Sequence, residues 1–283
     1  MNAIDFKDRL AVLATMHRKE KVIAPLLSEQ AGIKVMVPQG LDTDQFGTFT
    51  RDIKRRETQL KTALLKAKYA LELTGETLAI ASEGSFFPDP HLPFSVCDRE
   101  IVLLYDSQNH LQIKGEYLCR EVNHQGKTIT SLEQAWQFAQ QVDFPEQGLV
   151  VMAHPQATLP QDIIKGIQDS EQLVEAITQT FRQHNGSAYL ETDLRAMHNP
   201  KRQVAIGLAT QDLINKLQQY CPNCQIPGFD VVSTQPGLPC GFCGLPTDLT
   251  QFYLSRCQIC QHEVKKTTEA QWADPLYCSH CNP

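Results

Sequence analysis

Short apolar runs alternate with helical spacings along the first eighty residues. Leu10 to Ala14 is an apolar run ending at Thr15, and it predicts a buried strand. A helical pattern follows to about Gln30. Ile33 to Val37 predicts a second strand, closed by Pro38 and Gly40. Leu60, Ala63, Leu64, Ala67, Leu71 and Thr74 recur at helical spacing, and Gly75 supplies a C-terminal stop. Leu78 to Ala81 predicts a third strand. Ile101 to Tyr105 and Leu111 to Leu118 predict extended segments paired across Ser107–His110. Thr130 with Glu133 predicts a capping box for a helix to about Val142. Leu149 to Ala153 predicts a strand, Ser170 to His184 a helix and Ala188 to Glu191 a short strand. Asn199-Pro200 opens the last long helix, with Asn as cap and Pro at the first helical position, and that helix stops near Tyr220.

This alternation predicts an α/β (or α+β) body built on a mixed sheet over residues 1–219, with a separate small module over 220–283. With 283 residues, 42% of them hydrophobic, the chain can bury a core, so disorder does not describe it. No run approaches eighteen apolar residues, so no membrane helix is expected. The N-terminus carries acids before its first apolar run, unlike a secretory leader. The expectation is a soluble, cytoplasmic protein.

The cysteines change the picture most. Of ten, eight lie from Cys221 onward, as the pairs Cys221/Cys224, Cys240/Cys243, Cys257/Cys260 and Cys278/Cys281. A two-residue gap lets both sulfurs of a tight turn face one ion, and two such turns supply the four thiolates of a structural zinc. A redox reading needs a single Cys-x-x-Cys after a strand, which is a different pattern. Two structural zinc ions are therefore expected, although iron suits the same donors. Gly244 is free to take positive φ after the second ligand of its turn. Pairing is left open. Sequential pairing gives two zinc ribbons and closes shorter loops, whereas alternating pairing gives a cross-brace. His262 and His280 are read as bystanders. Residues 219–283 hold three Lys/Arg (Arg256, Lys265, Lys266) against five Asp/Glu (Asp230, Asp248, Glu263, Glu269, Asp274). Together with the net charge of −6, this argues against nucleic acid and for a structural or protein-contact role.

Cations concentrate in three places in the body. Residues 51–68 carry Arg51, Lys54, Arg55, Arg56, Lys61, Lys66 and Lys68, a solvated helix face or a phosphate-facing surface. Arg195, Lys201 and Arg202 lie where a strand gives way to a helix. There the macrodipole disfavours cations unless an anion, or Glu191 and Asp193, offsets them. Thr15, His17 and Lys19 follow the first strand, at a junction that often cradles phosphate but here lacks the glycines of a dinucleotide or P-loop fingerprint. Loop carboxylates are Asp42, Asp44, Glu83, Asp89 and Asp98. Glu83, just past an apolar strand and beside Gly84, is the expected magnesium ligand. Asp42-Thr-Asp44 matches the Asp-x-Asp element of nucleotide-sugar transferases or serves as a turn.

Two resemblances rest on these residues. Through Ala14-Thr-Met-His-Arg-Lys-Glu, Gly40-Leu-Asp-Thr-Asp, Gly47-Thr-Phe, Ala81-Ser-Glu-Gly-Ser-Phe, Glu191-Thr-Asp-Leu-Arg-Ala and the Cys221-Pro-Asn-Cys region, the chain resembles a bacterial family known only as a domain of unknown function. Residues 9–86 resemble the inosine/xanthosine triphosphate pyrophosphatases. Ala14-Thr15 with His17 resembles that family's phosphate-holding opening, Ala63-x-x-Lys66-Ala67 its helix motif and Ala81-Ser-Glu83-Gly its strand-end acids. Lys201-Arg202-x-x-Ala205 is a loose counterpart of its nucleotide-contacting element. The resemblance implies a nucleoside triphosphate hydrolase or nucleotide-binding protein. Lys66, Lys201 and Arg202 would then neutralise phosphates, and Glu83 with Asp42, Asp44 or Asp193 would hold Mg2+. Against it, Lys61 stands where that family has a metal-binding Glu. The alternatives are a non-enzymatic zinc adaptor binding protein or nucleic acid, and a nucleotide-sugar transferase.

Overall fold

The structure is a computed structural model that describes residues 4–46, 57–89, 92 and 94–283. Gly47-Thr-Phe and the cations Arg51, Lys54, Arg55 and Arg56 lie outside the described residues, and so does the side chain of Asp44. Contacts divide the described residues into two compact units, Phe6–Ile214 and Asn215–Pro283 together with residues 4–5.

The larger unit begins with β1 (Leu10–Ala14), α1 (Glu20–Ala31), β2 (Lys34–Met36), α2 (Gln59–Thr74), β3 (Leu78–Pro88), β4 (Val96–Asp106) and β5 (Leu111–Cys119). These strands form one mixed sheet in the order β2-β1-β3-β4-β5. β2, β1 and β3 run parallel, and β3, β4 and β5 are antiparallel neighbours. The helix crossovers read from the sequence account for the parallel half, and the Ser107–His110 turn accounts for the antiparallel half.

Alternation along β3 decides what each face meets. Ala79 and Ala81 pack with Val12, Ala14 and Leu103 against Ala63, Ala67, Ala70 and Leu71 of α2. Ile80, Ser82 and Gly84 therefore face the other way. That second face is covered by a long helix, α5 (Pro200–Leu217). A Cβ on Gly115 would collide with Ala209 O and Leu213 N, so glycine lets α5 sit directly on β5. A bare Gly207 likewise lets α5 meet Val22 of α1. Asn199 caps α5 by accepting from Arg202 N at 3.1 Å.

The sequence pattern stops β3 at Ala81, but the strand runs on to Pro88 beside β4. Glu83 and Asp98 are therefore strand residues, not loop residues. The unit also holds a second, antiparallel sheet, which periodicity did not separate from the first. Its order is β6-β9-β7-β8, from β6 (Gly126–Ile129), β7 (Leu149–Met152), β8 (Ile163–Ile167) and β9 (Ala188–Thr192). α3 (Leu132–Gln141) and α4 (Ser170–Gln183) pack on it through Phe138, Leu173 and Ile177. The cap of α3 is Ser131, one residue beyond the predicted Thr130. Its hydroxyl accepts from Gln134 N, and Gln134 Oε1 accepts from Thr130 N at 2.8 Å.

The smaller unit is built on β10 (Asp230–Pro236), β11 (Thr250–Arg256) and β12 (Glu263–Thr267), an antiparallel sheet in that order. β10 and β12 are almost wholly exposed. This sheet has no apolar layer comparable with that beneath β1 and β3. No helix among the described residues is long and apolar enough to cross a membrane.

Candidate metal centres and buried charge cluster

Each cysteine pair sits in a hairpin-like turn of one design. The residue after the second cysteine returns its N–H to the first cysteine's carbonyl: Gln225 to Cys221 at 2.9 Å, Gly244 to Cys240 at 2.9 Å, Gln261 to Cys257 at 3.2 Å and Asn282 to Cys278 at 2.8 Å. Gly244 takes φ 75°, and Gln225 and Gln261 take φ 59°. Phe242 N donates to Cys240 Sγ at 3.4 Å.

Strand register decides which turns meet. Asp230, Arg256 and Glu263 are paired neighbours at one end of the sheet. The Cys221 turn precedes Asp230, and the Cys257 turn joins Arg256 to Glu263, so both fall at that end. The Cys240 turn joins β10 to β11 and the Cys278 turn follows β12, so both fall at the other. The two quartets are Cys221, Cys224, Cys257 and Cys260, and Cys240, Cys243, Cys278 and Cys281. This is the alternating, cross-braced pairing. β11, seven residues long, separates the centres by about 20 Å.

The donor set fits zinc. Sulfurs within each quartet approach to 3.7 Å (Cys221–Cys260), 3.5 Å (Cys224–Cys257), 3.9 Å (Cys240–Cys281) and 3.7 Å (Cys243–Cys278). A tetrahedron with Zn–S bonds of about 2.3 Å has edges of about 3.8 Å. A disulfide needs about 2.05 Å, and all ten cysteines are free thiols. Bound zinc would be closed off by four sulfurs and would hold the turns in place. His262 lies outside the quartets, with its ring 6.4 Å from that of Phe229.

The body contains a second concentration of chemistry. β1 pairs with β3 only as far as Ala81, beyond which β3 runs on beside β4. The chain leaves β1 for β2 on one side and reaches β3 on the other, so the carboxyl ends of β1 and β3 form a topological switch point. Open α/β sheets bind ligands in the crevice at such a point. Buried charge gathers there: Lys19, Lys66, Glu83, Asp98, Glu100 and Arg202 are each at most 8% exposed.

On the second face, Lys19 Nζ donates to Ser82 O at 3.0 Å and Ser82 Oγ at 3.2 Å. Arg202 lies over Gly84, where a Cβ would run into its Nη2. The guanidinium grips Glu100 Oε1 from Nε (2.6 Å) and Nη2 (2.5 Å), reaches Asp98 Oδ2 at 3.8 Å and donates to Leu194 O. Its charge centre lies 5.8 Å from the Phe86 ring. On the α2 face, Lys66 pairs with Glu83, and Gln59 Nε2 donates to Glu83 O at 2.7 Å.

Burial depresses the Lys19 ammonium to about 8, with Arg202 and Lys66 adding to the effect against Glu100 and Glu83. Burial also pushes the Asp98 carboxyl up to about 8, reinforced by Glu100 two residues along the same strand face. Arg202 is held above its usual value. Burial works against that rise, but Glu100 and Asp98 outweigh it.

A third group joins two of the sequence's cation-rich places. Asp193 is fully buried, accepts from Arg195 Nη2 at 2.6 Å and Arg195 N at 2.9 Å, and takes Gly166 N at 3.2 Å. Burial lowers the neighbouring His198. Asp193 opposes this, while Arg195, Arg18 and His17 add to it. The β1–α1 loop and the β9–α5 loop thus face each other. Arg18 holds φ 55° in that loop, a sparsely populated conformation for a residue with a side chain. Thr15 Oγ1 accepts from His17 N at 3.3 Å.

Several expected roles change here. Glu83 and Arg202 lie on opposite faces of β3. Asp193 is taken up by Arg195 and by the backbone of Gly166. Asp42 is exposed and lies beside a short 3-10 turn, Asp44–Phe46. Lys201 is exposed, whereas Arg202 is buried on Glu100 rather than on Glu191 or Asp193. Lys61 pairs with Glu57 at 2.8 Å on the helix surface, and Lys68 approaches the Tyr105 ring. Among the described residues, the two cysteine quartets are the groups of three or more His, Cys, Asp or Glu close enough to share an ion. A carboxylate set for Mg2+ is not among them. Sequence reasoning missed Glu100 and Gln59. Asp98-Arg-Glu100 before the apolar run 101–104 was the available signal, since alternation sets those two acids on one face.

The fold and sites define an α/β protein with a cross-braced pair of four-cysteine centres. The chain belongs to the family described as Domain of unknown function (DUF6671), which matches residues 66–283. The matched span includes Lys66, Glu83, Asp98, Glu100, Arg202 and all eight paired cysteines, and begins after Lys19. No curated protein matches the chain.

Proposed function

We propose that the body binds a small phosphate-bearing molecule, a nucleoside triphosphate in the first instance, and that two zinc ions fold the C-terminal module. The observation that carries the reading is the burial of Lys19, Lys66 and Arg202 at the switch point between β1 and β3. Burying three cations is expensive unless they serve a charged partner. Lys66 and Arg202 each have a carboxylate, whereas the hydrogen bonds of Lys19 go to the neutral oxygens of Ser82. Lys19 is the group an incoming anion would meet, and Thr15, His17 and Arg18 precede it in the same β1–α1 loop. Binding is favoured over hydrolysis, because Glu83 pairs with Lys66 and Asp193 with Arg195. Eight thiols kept for metal suit a reducing compartment such as the cytoplasm.

The test is a thermal-shift and calorimetric screen of the intact protein with inorganic phosphate, pyrophosphate and nucleoside triphosphates, with and without Mg2+. Saturable binding lost in Lys19→Met is the expected result. Absence of binding by every anion, with the protein folded and metal-loaded, contradicts the reading.

A further inference from the structure

Four of the six buried charges at the switch point cancel in pairs, Lys66 with Glu83 and Arg202 with Glu100. Lys19 and Asp98 are left over. Lys19 donates to the neutral oxygens of Ser82, and Asp98 lies at the outer reach of Arg202, 3.8 Å from its Nε. Strand register lays these groups in a row. On β3, Ser82, Gly84 and Phe86 alternate onto the second face, and on β4 Glu100 stands opposite Gly84 and Asp98 opposite Phe86. Lys19 is therefore at one end of the row, the Arg202–Glu100 pair in the middle and Asp98 at the other end.

The two acids share one strand face with their Cα atoms about 7 Å apart, close enough for their side chains to meet. Their carboxyls come within hydrogen-bond reach of each other. Yet Asp98 Oδ1 and Glu100 Oε2 are buried without a donor among the described residues. Two ionised carboxylates are all acceptor, so nothing can bond them, and like charges this close do not both ionise. One proton turns one carboxyl into a donor, and a single O–H···O bond then satisfies an oxygen on each.

Other polar groups surround the pair. On β5, Cys119 stands opposite Asp98 and Tyr117 opposite Glu100. From α5 come Arg202 and, acting on Cys119, Lys201. Phe86 of β3 separates the pair from His124, whose ring lies 5.6 Å from its own. Lys19 comes from the β1–α1 loop, and the Lys66–Glu83 pair acts on it from the α2 face.

We propose that, at the anion site inferred above, Asp98 and Glu100 hold one proton between them and that this proton admits the anion. With the proton in place Asp98 is neutral, the charge of Lys19 is not cancelled within the cluster, and the site is cationic. With the proton gone, Asp98 offsets Lys19 and the anion loses its counter-charge. The raised Asp98 carboxyl and the lowered Lys19 ammonium both change over at about 8. Above that pH Asp98 gains a negative charge and Lys19 loses its positive one, and both changes act against an anion. By reciprocity, an anion that binds there draws protons from solution.

The experiment uses the intact, metal-loaded protein and sulfate, a tetrahedral anion whose own charge stays constant near neutral pH. Infrared spectra of the ligand-free protein should show a protonated-carboxyl C=O band at about pH 7 that fades as pH rises through about 8. Asp98→Asn should remove that band. Calorimetric titration at about pH 8, in buffers of different ionisation enthalpy, should show about one proton taken up per sulfate, since Asp98 and Lys19 are each about half protonated there. Asp98→Asn should about halve the uptake. The wild-type spectra and proton count decide even where the variant does not fold. Three outcomes overturn the proposal: a band absent from the wild type, a band unchanged in Asp98→Asn, or sulfate binding with no proton uptake. If neither sulfate nor pyrophosphate binds while the band behaves as expected, the gate falls together with the anion reading and the shared proton stands.

Discussion

The two units reach order by opposite means. Beneath the body's first sheet, Leu13, Ile80, Leu103 and Leu104 are essentially inaccessible, and charge is buried in the same body. The C-terminal sheet has two exposed flanking strands, and its deeply buried residues include Cys221, Cys240, Cys257 and Cys278. One unit is held by apolar packing that can carry a buried polar site. The other is held by turns that need an ion. A stretch of under eighty residues with so small a core depends on such a staple.

The largest expected effect breaks the metal side of this contrast. Structural zinc in small domains is worth about 10–16 kcal/mol of apparent folding free energy. Cys257→Ser should cut the metal content from two to one and unfold the Cys221 end of the sheet. Cys278→Ser should do the same at the other end. Paired this way, Cys221→Ser with Cys257→Ser still leaves one metal. Sequential ribbons would lose both, and elemental analysis separates the two results.

Next comes the buried charge. Arg202→Met leaves Glu100 without its cation and should cost about 3–5 kcal/mol in urea unfolding of the body. Slightly smaller is the contrast in packing. Ile80→Ala should cost about 2–5 kcal/mol. Val231→Ala, at a position 44% exposed on β10, should stay within about 0.5 kcal/mol.

The finest effect is in pH. Asp98 has its folded value raised from 3.8 to about 8, so its stabilisation is full below about pH 4 and is lost as pH rises to about 8. Lys19 has its folded value lowered from 10.5 to about 8, so its contribution is full above 10.5 and is lost as pH falls through 8. Together they set a stability minimum near pH 8, with slopes of at most about 1.4 kcal/mol per pH unit per proton. Asp98→Asn should flatten the acid limb, as urea midpoints at about pH 5, 6.5 and 8 would show.

The contrast also explains what the sequence made legible. Long periodic stretches such as 60–74 specify their own helix and its stop at Gly75. The four Cys-x-x-Cys turns are equally local, so the ligands could be named without a fold. Their pairing could not. Loop-closure entropy changes slowly with length and discriminates weakly between sequential and alternating pairs. The register of β10, β11 and β12 decides, and those strands carry mostly exposed side chains with little alternation to read. In the body, β6 and β8 were invisible for a similar reason, being short and broken by Gly126 and Gly166. Lys66 and Arg202 were legible as cations out of place. Glu83 was legible as a strand-end acid but read as a magnesium ligand rather than as the partner of Lys66, and Glu100 was not separable from surface acids until strand pairing set Glu83 on one face of β3 and Glu100 beside the other.

Calorimetric melting of the intact protein, with a chelator in one arm and a nucleoside triphosphate in the other, tests this division most directly. The account predicts two transitions. The chelator should remove the one belonging to the cysteine-rich module and leave the body's in place. The nucleotide should raise the body's transition, in wild type and not in Lys19→Met, and leave the module's unmoved. A single transition that the chelator abolishes outright, or a body transition indifferent to every phosphate-bearing ligand, would contradict it.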